Sequence, residues 1–211
     1  IPVILTVSTN VDVLKGYEDI SMRLIADDQK QSSQFNKWIN PKDTIKPIYS
    51  ILYSPTIYGR DLRNTFKNTI NVPSQIIPFA VGTTTDVAGT LKYGKNLGTT
   101  HWIVLTYRSE AEEIYSKKHN SKIESPILFS DGAYGEWLKQ TNDDSLYIVL
   151  PKIQNYDKMK ENELFAYSVY GYDSYISLRE ALDYFKQSDN KTKKGFKEIL
   201  LSVFEGKEEI E

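Results

Sequence analysis

An apolar run from Pro47 to Tyr53 ends at Ser54-Pro55-Thr56, and a helical pattern follows from Tyr58, with Leu62, Phe66 and Ile70 at fourfold spacing. A β-rich run, a tight turn and a helix start make one strand–helix unit. The same order recurs three more times. Gln75–Val81 ends at Gly82-Thr83-Thr84-Thr85-Asp86, before a helix through Lys95. His101–Thr106 ends at Tyr107-Arg108-Ser109-Glu110, before a helix to His119. Pro126–Phe129 ends at Ser130-Asp131-Gly132, before a helix over Tyr134–Lys139, and a further strand is expected over Ser145–Leu150. Strands alternating with helices predict an α/β fold, a doubly wound parallel sheet flanked by helices on both faces. Strand-to-helix turns share one edge of such a sheet, and ligands bind along it. The turns carrying Tyr58, Tyr107 and Asp131 should therefore converge on one edge.

Outside this middle region the pattern changes. Ile1–Val7 reads as a strand, with Ser8-Thr9-Asn10 as the turn after it. Val11–Tyr17 is a short helical piece stopped at Gly16, and Ile20–Leu24 is extended. Asp27-Asp28 can cap a helix from Gln29 to Ile39, with Phe35, Trp38 and Ile39 on its apolar face. Glu161–Lys186 is a long helical pattern with a bend expected at Gly171, and Lys193–Phe204 is the last helix. The long helix carries Leu164, Phe165, Tyr172, Leu178, Leu182 and Phe185 over more than one stripe, so it expects a sheet against one side.

Several functions are disfavoured. A net charge of −2 without a basic stripe gives no footprint for nucleic acid. No apolar run is long enough to span a membrane as a helix. The absence of cysteine removes disulfides, thiolate nucleophiles and cysteine-bound metals. His101 and His119 are the only histidines and are not paired in sequence, so no metal site is expected. The Gly82–Asp86 turn lacks the lysine and glycine spacing of a phosphate-binding loop, and Thr85 or Asp86 reads better as a helix cap. There is no Gly-x-Ser-x-Gly, and no paired base and nucleophile. No catalytic residue and no cofactor is expected.

The candidate residues each allow two readings. Asp131 ends a parallel strand and precedes a glycine, so its carboxylate can hold an ammonium or cap the next turn. Tyr58 can face a ligand or staple a helix start. Arg108 can hold a carboxylate or stand as a solvated surface charge. Ser8 and Thr9 can bind through their hydroxyls or form the turn.

The order of these signals resembles the type I periplasmic binding proteins, and among them the branched-chain amino-acid binding proteins of ABC transporters. Ile1-Pro2-Val3-Ile4 through Ser8-Thr9-Asn10 resembles the end of that family's first lobe. Met22-Arg23-Leu24-Ile25-Ala26-Asp27-Asp28 resembles its crossing into the second lobe, and Tyr58-Gly59 the pair after that lobe's first strand. Trp102-Ile103-Val104-Leu105-Thr106-Tyr107 with Glu110-Ala111 fits a later strand and helix, and Gly171-Tyr172-Asp173 fits the opening of a long helix back in the first lobe.

The resemblance implies ligand-binding roles. Ser8 and Thr9 would bind a ligand carboxylate, Tyr107 would pack its ring over the ligand, Tyr58 would line the anchor loop, and Asp131 would pair with the ligand ammonium. It implies residues 1–24 as the end of the first lobe and crossover, 25–151 as the second lobe, and 152–211 as a helical return to the first. Because the chain opens inside a strand without Met, an N-terminal portion of the first lobe is expected to lie outside it. The expected function is non-enzymatic: extracytoplasmic capture of a small polar ligand, foremost an amino acid, between two lobes, with hinge closure and delivery to an ABC permease. The alternatives are a receptor's ligand-sensing domain with the same fold, and a nucleotide-using enzyme on a doubly wound sheet.

Overall fold

The computed structural model describes residues 3–5, 8–18, 21–23, 26–39, 47–69, 75–82, 85–150, 166–189 and 191–204. The strands are β1 (Val3–Leu5), β2 (Ser21–Arg23), β3 (Ile48–Tyr53), β4 (Gln75–Ala80), β5 (His101–Leu105), β6 (Ile127–Phe129) and β7 (Leu146–Ile148). The helices are α1 (Asp28–Ile39), α2 (Ile57–Thr69), α3 (Val87–Asn96), α4 (Arg108–Asn120), α5 (Ala166–Gln187) and α6 (Lys193–Phe204). Two units result, one of Asp28–Leu150 and one of Ile1–Asp27 with Pro151–Glu211.

Asp28–Leu150 is built on a five-stranded sheet in the order β4-β3-β5-β6-β7, with every neighbouring pair parallel. The central strands are almost continuously apolar because both their faces are covered. Side chains alternate between two cores. Tyr49, Ile51, Ile103, Leu105 and Leu128 pack on Phe35 and Ile39 of α1 and on Leu62 and Phe66 of α2. Leu52, Trp102, Val104, Ile127 and Phe129 pack on Val87 and Leu91 of α3 and on Ala111 and Ile114 of α4. The two faces are thus closed by different helix pairs, as the alternation of strands and helices predicts. Pro78 sits on β4, an edge strand, where a missing N–H is tolerated.

Local capping follows the sequence closely. The Asp86 carboxylate accepts from Gly89 N–H at 2.9 Å and starts α3, while Thr85 Oγ1 accepts from Gly82 N–H at 2.9 Å. At Tyr134–Lys139 the structure differs from the expected helix. The chain instead makes two 3₁₀ turns, Asp131–Ala133 and Glu136–Gln140. Gly135 between them is fully extended, at φ −178° and ψ 172°, so no helix propagates through it.

In the other unit, β1 and β2 pair in parallel as a separate two-stranded sheet and do not extend the larger one. Met22, Ala181, Phe196, Ile199 and Leu200 form its buried cluster, joined by Ile4, Leu178 and Phe185. The helix α5 runs through Gly171 without interruption. Leu178 is half-buried and Leu182 is 43% exposed. Leu164 and Phe165 lie outside the described residues.

Candidate functional site

The sheet reverses its winding between β3 and β5: from β3 the chain moves to β4 on one side, and from β4 it returns to β5 on the other. Such a switch point leaves a crevice at the carboxyl ends of the two strands. Tyr58 stands in the first turn of α2, just after β3, and Tyr107 stands just after β5 as the N-cap of α4. Their rings stack across the switch point, with centroids 5.0 Å apart and planes 24° from parallel. Asp131 follows β6, the next strand along, and is 3% exposed. Its carboxylate Oδ1 accepts from the Tyr58 phenol at 2.6 Å and from Gly132 N–H at 2.9 Å. The phenol oxygen in turn accepts from Gly132 N–H at 3.1 Å. The three strand-end residues singled out in this unit are therefore one connected group.

Two glycines let this group assemble. A Cβ on Gly59 would lie 2.3 Å from the Ser54 carbonyl oxygen and 2.9 Å from that of Leu105. The start of α2 therefore packs directly on the strand ends, and that packing carries the neighbouring Tyr58 ring inward. A Cβ on Gly132 would lie 2.9 Å from the Tyr58 hydroxyl and 3.0 Å from the Thr106 carbonyl oxygen. Tyr58-Gly59 and Asp131-Gly132 are the same device, in which a candidate side chain is followed by a residue that removes the steric barrier to its placement.

The electrostatics keep the phenol protonated. Burial, then the Asp131 charge and the hydrogen bond to it, push the Tyr58 hydroxyl well above its ordinary value. It is a donor to Asp131 throughout the neutral range. Tyr107 is 45% exposed and offers ring surface to the outside of the stack. Arg108 pairs with Glu112 at 2.6 Å in the open, which is the solvated reading of that residue.

Ser54, Thr106 and Ser130 are the residues that immediately follow β3, β5 and β6, and all three are buried. Among the described residues, the hydroxyls of Ser54 and Thr106 have no hydrogen-bond partner. Ser130 Oγ meets no partner at hydrogen-bonding geometry, but it lies close enough to the Tyr58 phenol to offset part of its upward shift. Buried hydroxyls are ordinarily paired with protein or ordered water. The sequence reading passed over these three, although a polar residue directly after a buried apolar strand is a usable signal.

Ser8 and Thr9 lie in the other unit, after β1. Thr9 is buried, and its carbonyl accepts from the Arg23 guanidinium at 2.5 Å; the Asn10 carbonyl accepts from the same group. Asn10 Oδ1 caps the 3₁₀ turn at Val11–Leu14 by accepting from Asp12 N–H at 2.8 Å. The turn-forming reading of this stretch is thereby seen for Asn10. Among the described residues no cluster of His, Asp and Glu has the geometry to hold a metal ion.

No protein-family model matches the sequence, and no curated protein matches it. Solved structures do match. A leucine-binding protein from Thermotoga maritima superposes with a TM-score of 0.76 at 17% identity, over 94% of this chain and 61% of that one. A branched-chain amino-acid transporter substrate-binding protein from Streptococcus pneumoniae, in complex with isoleucine, gives 0.69 at 20% identity, over 96% and 61%. An ABC transporter substrate-binding protein from Desulfitobacterium hafniense, in complex with Leu, gives 0.67 at 18% identity, over 95% and 62%. These likenesses define the fold as that of the type I periplasmic binding proteins. The chain spans about three fifths of the length of each of these structures.

Proposed function

We propose that the chain captures a small polar solute, foremost an α-amino acid, as the extracytoplasmic binding component of an ABC transporter. The observation that carries this reading is the buried Asp131 carboxylate at the switch-point edge, held under a stacked pair of tyrosines. A fixed carboxylate in a place poor in water is suited to an ammonium, because a charge-assisted bond gains most where water does not compete. The ring of Tyr107 supplies an apolar face for the rest of the solute. In this reading residues 25–151 are the lobe that carries the carboxylate, and residues 1–24 and 152–211 belong to the first lobe, where Ser8 and Thr9 would take the solute carboxylate. Hinge closure and transfer to a membrane permease belong to the same proposal.

Calorimetric titration of the full chain with leucine, isoleucine and their des-amino analogues tests it. Saturable binding of the amino acids is expected, with loss of binding for the des-amino acids and for Asp131→Asn. Binding that survives Asp131→Asn, or no saturable binding of any α-amino acid, would sink the proposal.

A further inference from the structure

On α4, Ala111, Ile114 and Lys118 occupy the buried stripe, so a lysine stands where the helix pattern calls for an apolar side chain. Lys118 is 3% exposed. Among the described residues its ammonium has neither a hydrogen-bond acceptor nor a carboxylate in ion-pair contact. Asp143 acts on it through space only, and that carboxylate is already engaged. It accepts from Ser145 N–H at 2.8 Å, from Ser145 Oγ at 2.6 Å and from the Tyr115 hydroxyl at 3.2 Å. The stem of the side chain is buried, while the ammonium keeps contact with the open space beside it and has three donors unused by the protein.

Lys118 lines a cavity of about 740 Å³, together with Tyr115, Lys122, Glu124, Asp143 and Asp144. The cavity lies at the C-terminal end of α4 and before β6 and β7, so it is on the sheet edge opposite Tyr58 and Asp131. Its volume falls within the ~300–1,000 Å³ of small-molecule sites. Lys122 adds a second peculiarity. It holds φ at 49°, in the left-handed region, at a helix end where glycine is the usual occupant. A strained residue kept in place of glycine points to a use for its side chain.

We propose that this cavity is a second ligand site, for a small zwitterion of the short-peptide class. Lys118 takes the ligand carboxylate, and the acidic rim faces its ammonium. The charges select this class. Acids outnumber lysines in the lining, which disfavours a dianion such as phosphate and suits a ligand that brings its own cation. The need for an acceptor at Lys118 rules against a purely cationic ligand. Burial lowers the Lys118 amine below its ordinary value while Asp143 opposes the shift, and an arriving carboxylate would act in the same direction as Asp143 and favour the charged form. The site is independent of the solute reading for Asp131.

The test is an NMR titration of the ¹⁵N-labelled full chain with triglycine, whose only charges are its termini. Saturable shifts are expected in the millimolar range at residues 118–124 and 142–145. The C-terminal amide of triglycine and its N-acetyl form should each bind about tenfold more weakly, the equivalent of one lost charge-assisted contact. Lys118→Met should abolish these shifts, and Asp131→Asn should leave them in place. The blocked peptides decide the matter on the wild-type chain even if Lys118→Met fails to fold. Equal binding of the amide, retained binding in a folded Lys118→Met, no saturable shift, or phosphate moving the same residues as strongly as triglycine would each overturn the proposal.

Discussion

Replacing Tyr58 by Phe removes one oxygen and keeps the ring, so the stack on Tyr107 survives and only the hydrogen bonds are lost. The phenol donates to a carboxylate that is 3% exposed, at 2.6 Å. Such a bond contributes about 1.5–3 kcal/mol. The surroundings place the loss inside that range. Gly132 N–H, which also reaches the phenol at 3.1 Å, keeps Asp131 Oδ1 at 2.9 Å, so neither the amide nor the carboxylate is stripped of partners. The expected cost is therefore about 2 kcal/mol. Urea unfolding followed by tryptophan fluorescence measures it. Trp38, Trp102 and Trp137 are the chain's three tryptophans and all lie in Asp28–Leu150, so the signal reports that unit alone. The midpoint should fall with the slope unchanged. A pH series adds a sign. The native phenol sits well above the ordinary value of 10.0, so below that value it is protonated in both states and contributes in full. As pH rises past it, the unfolded chain gives up its proton first, the native state binds more protons, and stability falls. Phe has no such branch, so the gap between wild type and variant should narrow in alkali. A loss below about 0.5 kcal/mol near neutral pH, within the spread of ordinary surface substitutions, or a gap that does not narrow, would refute the reasoning.

Gly59→Ala should cost about 3 kcal/mol or more in the same urea assay, because its Cβ would meet backbone atoms of Ser54 and Leu105 that cannot turn away. Gly94→Ala should cost less, about 1–3 kcal/mol, with a changed Trp102 near-ultraviolet signal, because its Cβ would lie 2.5 Å from the tip of the Trp102 side chain, which can shift. Lys118→Met should raise stability modestly near neutral pH, because burial penalises the charged form of the amine and Met carries no charge. That gain should fade with rising pH. The native amine has its value lowered and releases its proton before the unfolded chain does, so wild-type stability climbs through that window and approaches the variant's.

The sheet was legible because its strands are buried on both faces. Ile48–Tyr53 and His101–Leu105 are β-branched and aromatic runs too short for helices, and each is followed by a turn and a helix, with fourfold apolar spacing after the first. The edge that carries Tyr58, Tyr107 and Asp131 followed from topology, since parallel strands leave no other place for the turns between them. The contact between Tyr58 and Asp131 did not follow. It joins residues 73 apart in sequence, and only packing through Gly59 and Gly132 brings them to 2.6 Å. The helix expected over Tyr134–Lys139 gives way to 3₁₀ turns because the fully extended Gly135 interrupts it. Lys118 was passed over for a different reason. A charged residue near a helix end reads as a solvated, dipole-matching group, and nothing in a single sequence marks a lysine that turns inward.

The two edges of the sheet relate stability to function in opposite ways, and that difference separates the two proposals. At the carboxyl edge the buried charge of Asp131 already has donors, so the group that would hold a solute also supports the fold. Removing the Tyr58 hydroxyl should weaken the fold and disturb the solute site together. At the amino edge burial penalises the charge of Lys118 and Asp143 opposes that only through space, so a ligand carboxylate would offset the penalty. Removing that charge should strengthen the fold and eliminate binding. A Lys118→Met chain that is less stable than the wild type would show the lysine to support α4, and the comparison of triglycine with its amide on the wild-type chain would then decide whether the cavity holds a ligand carboxylate.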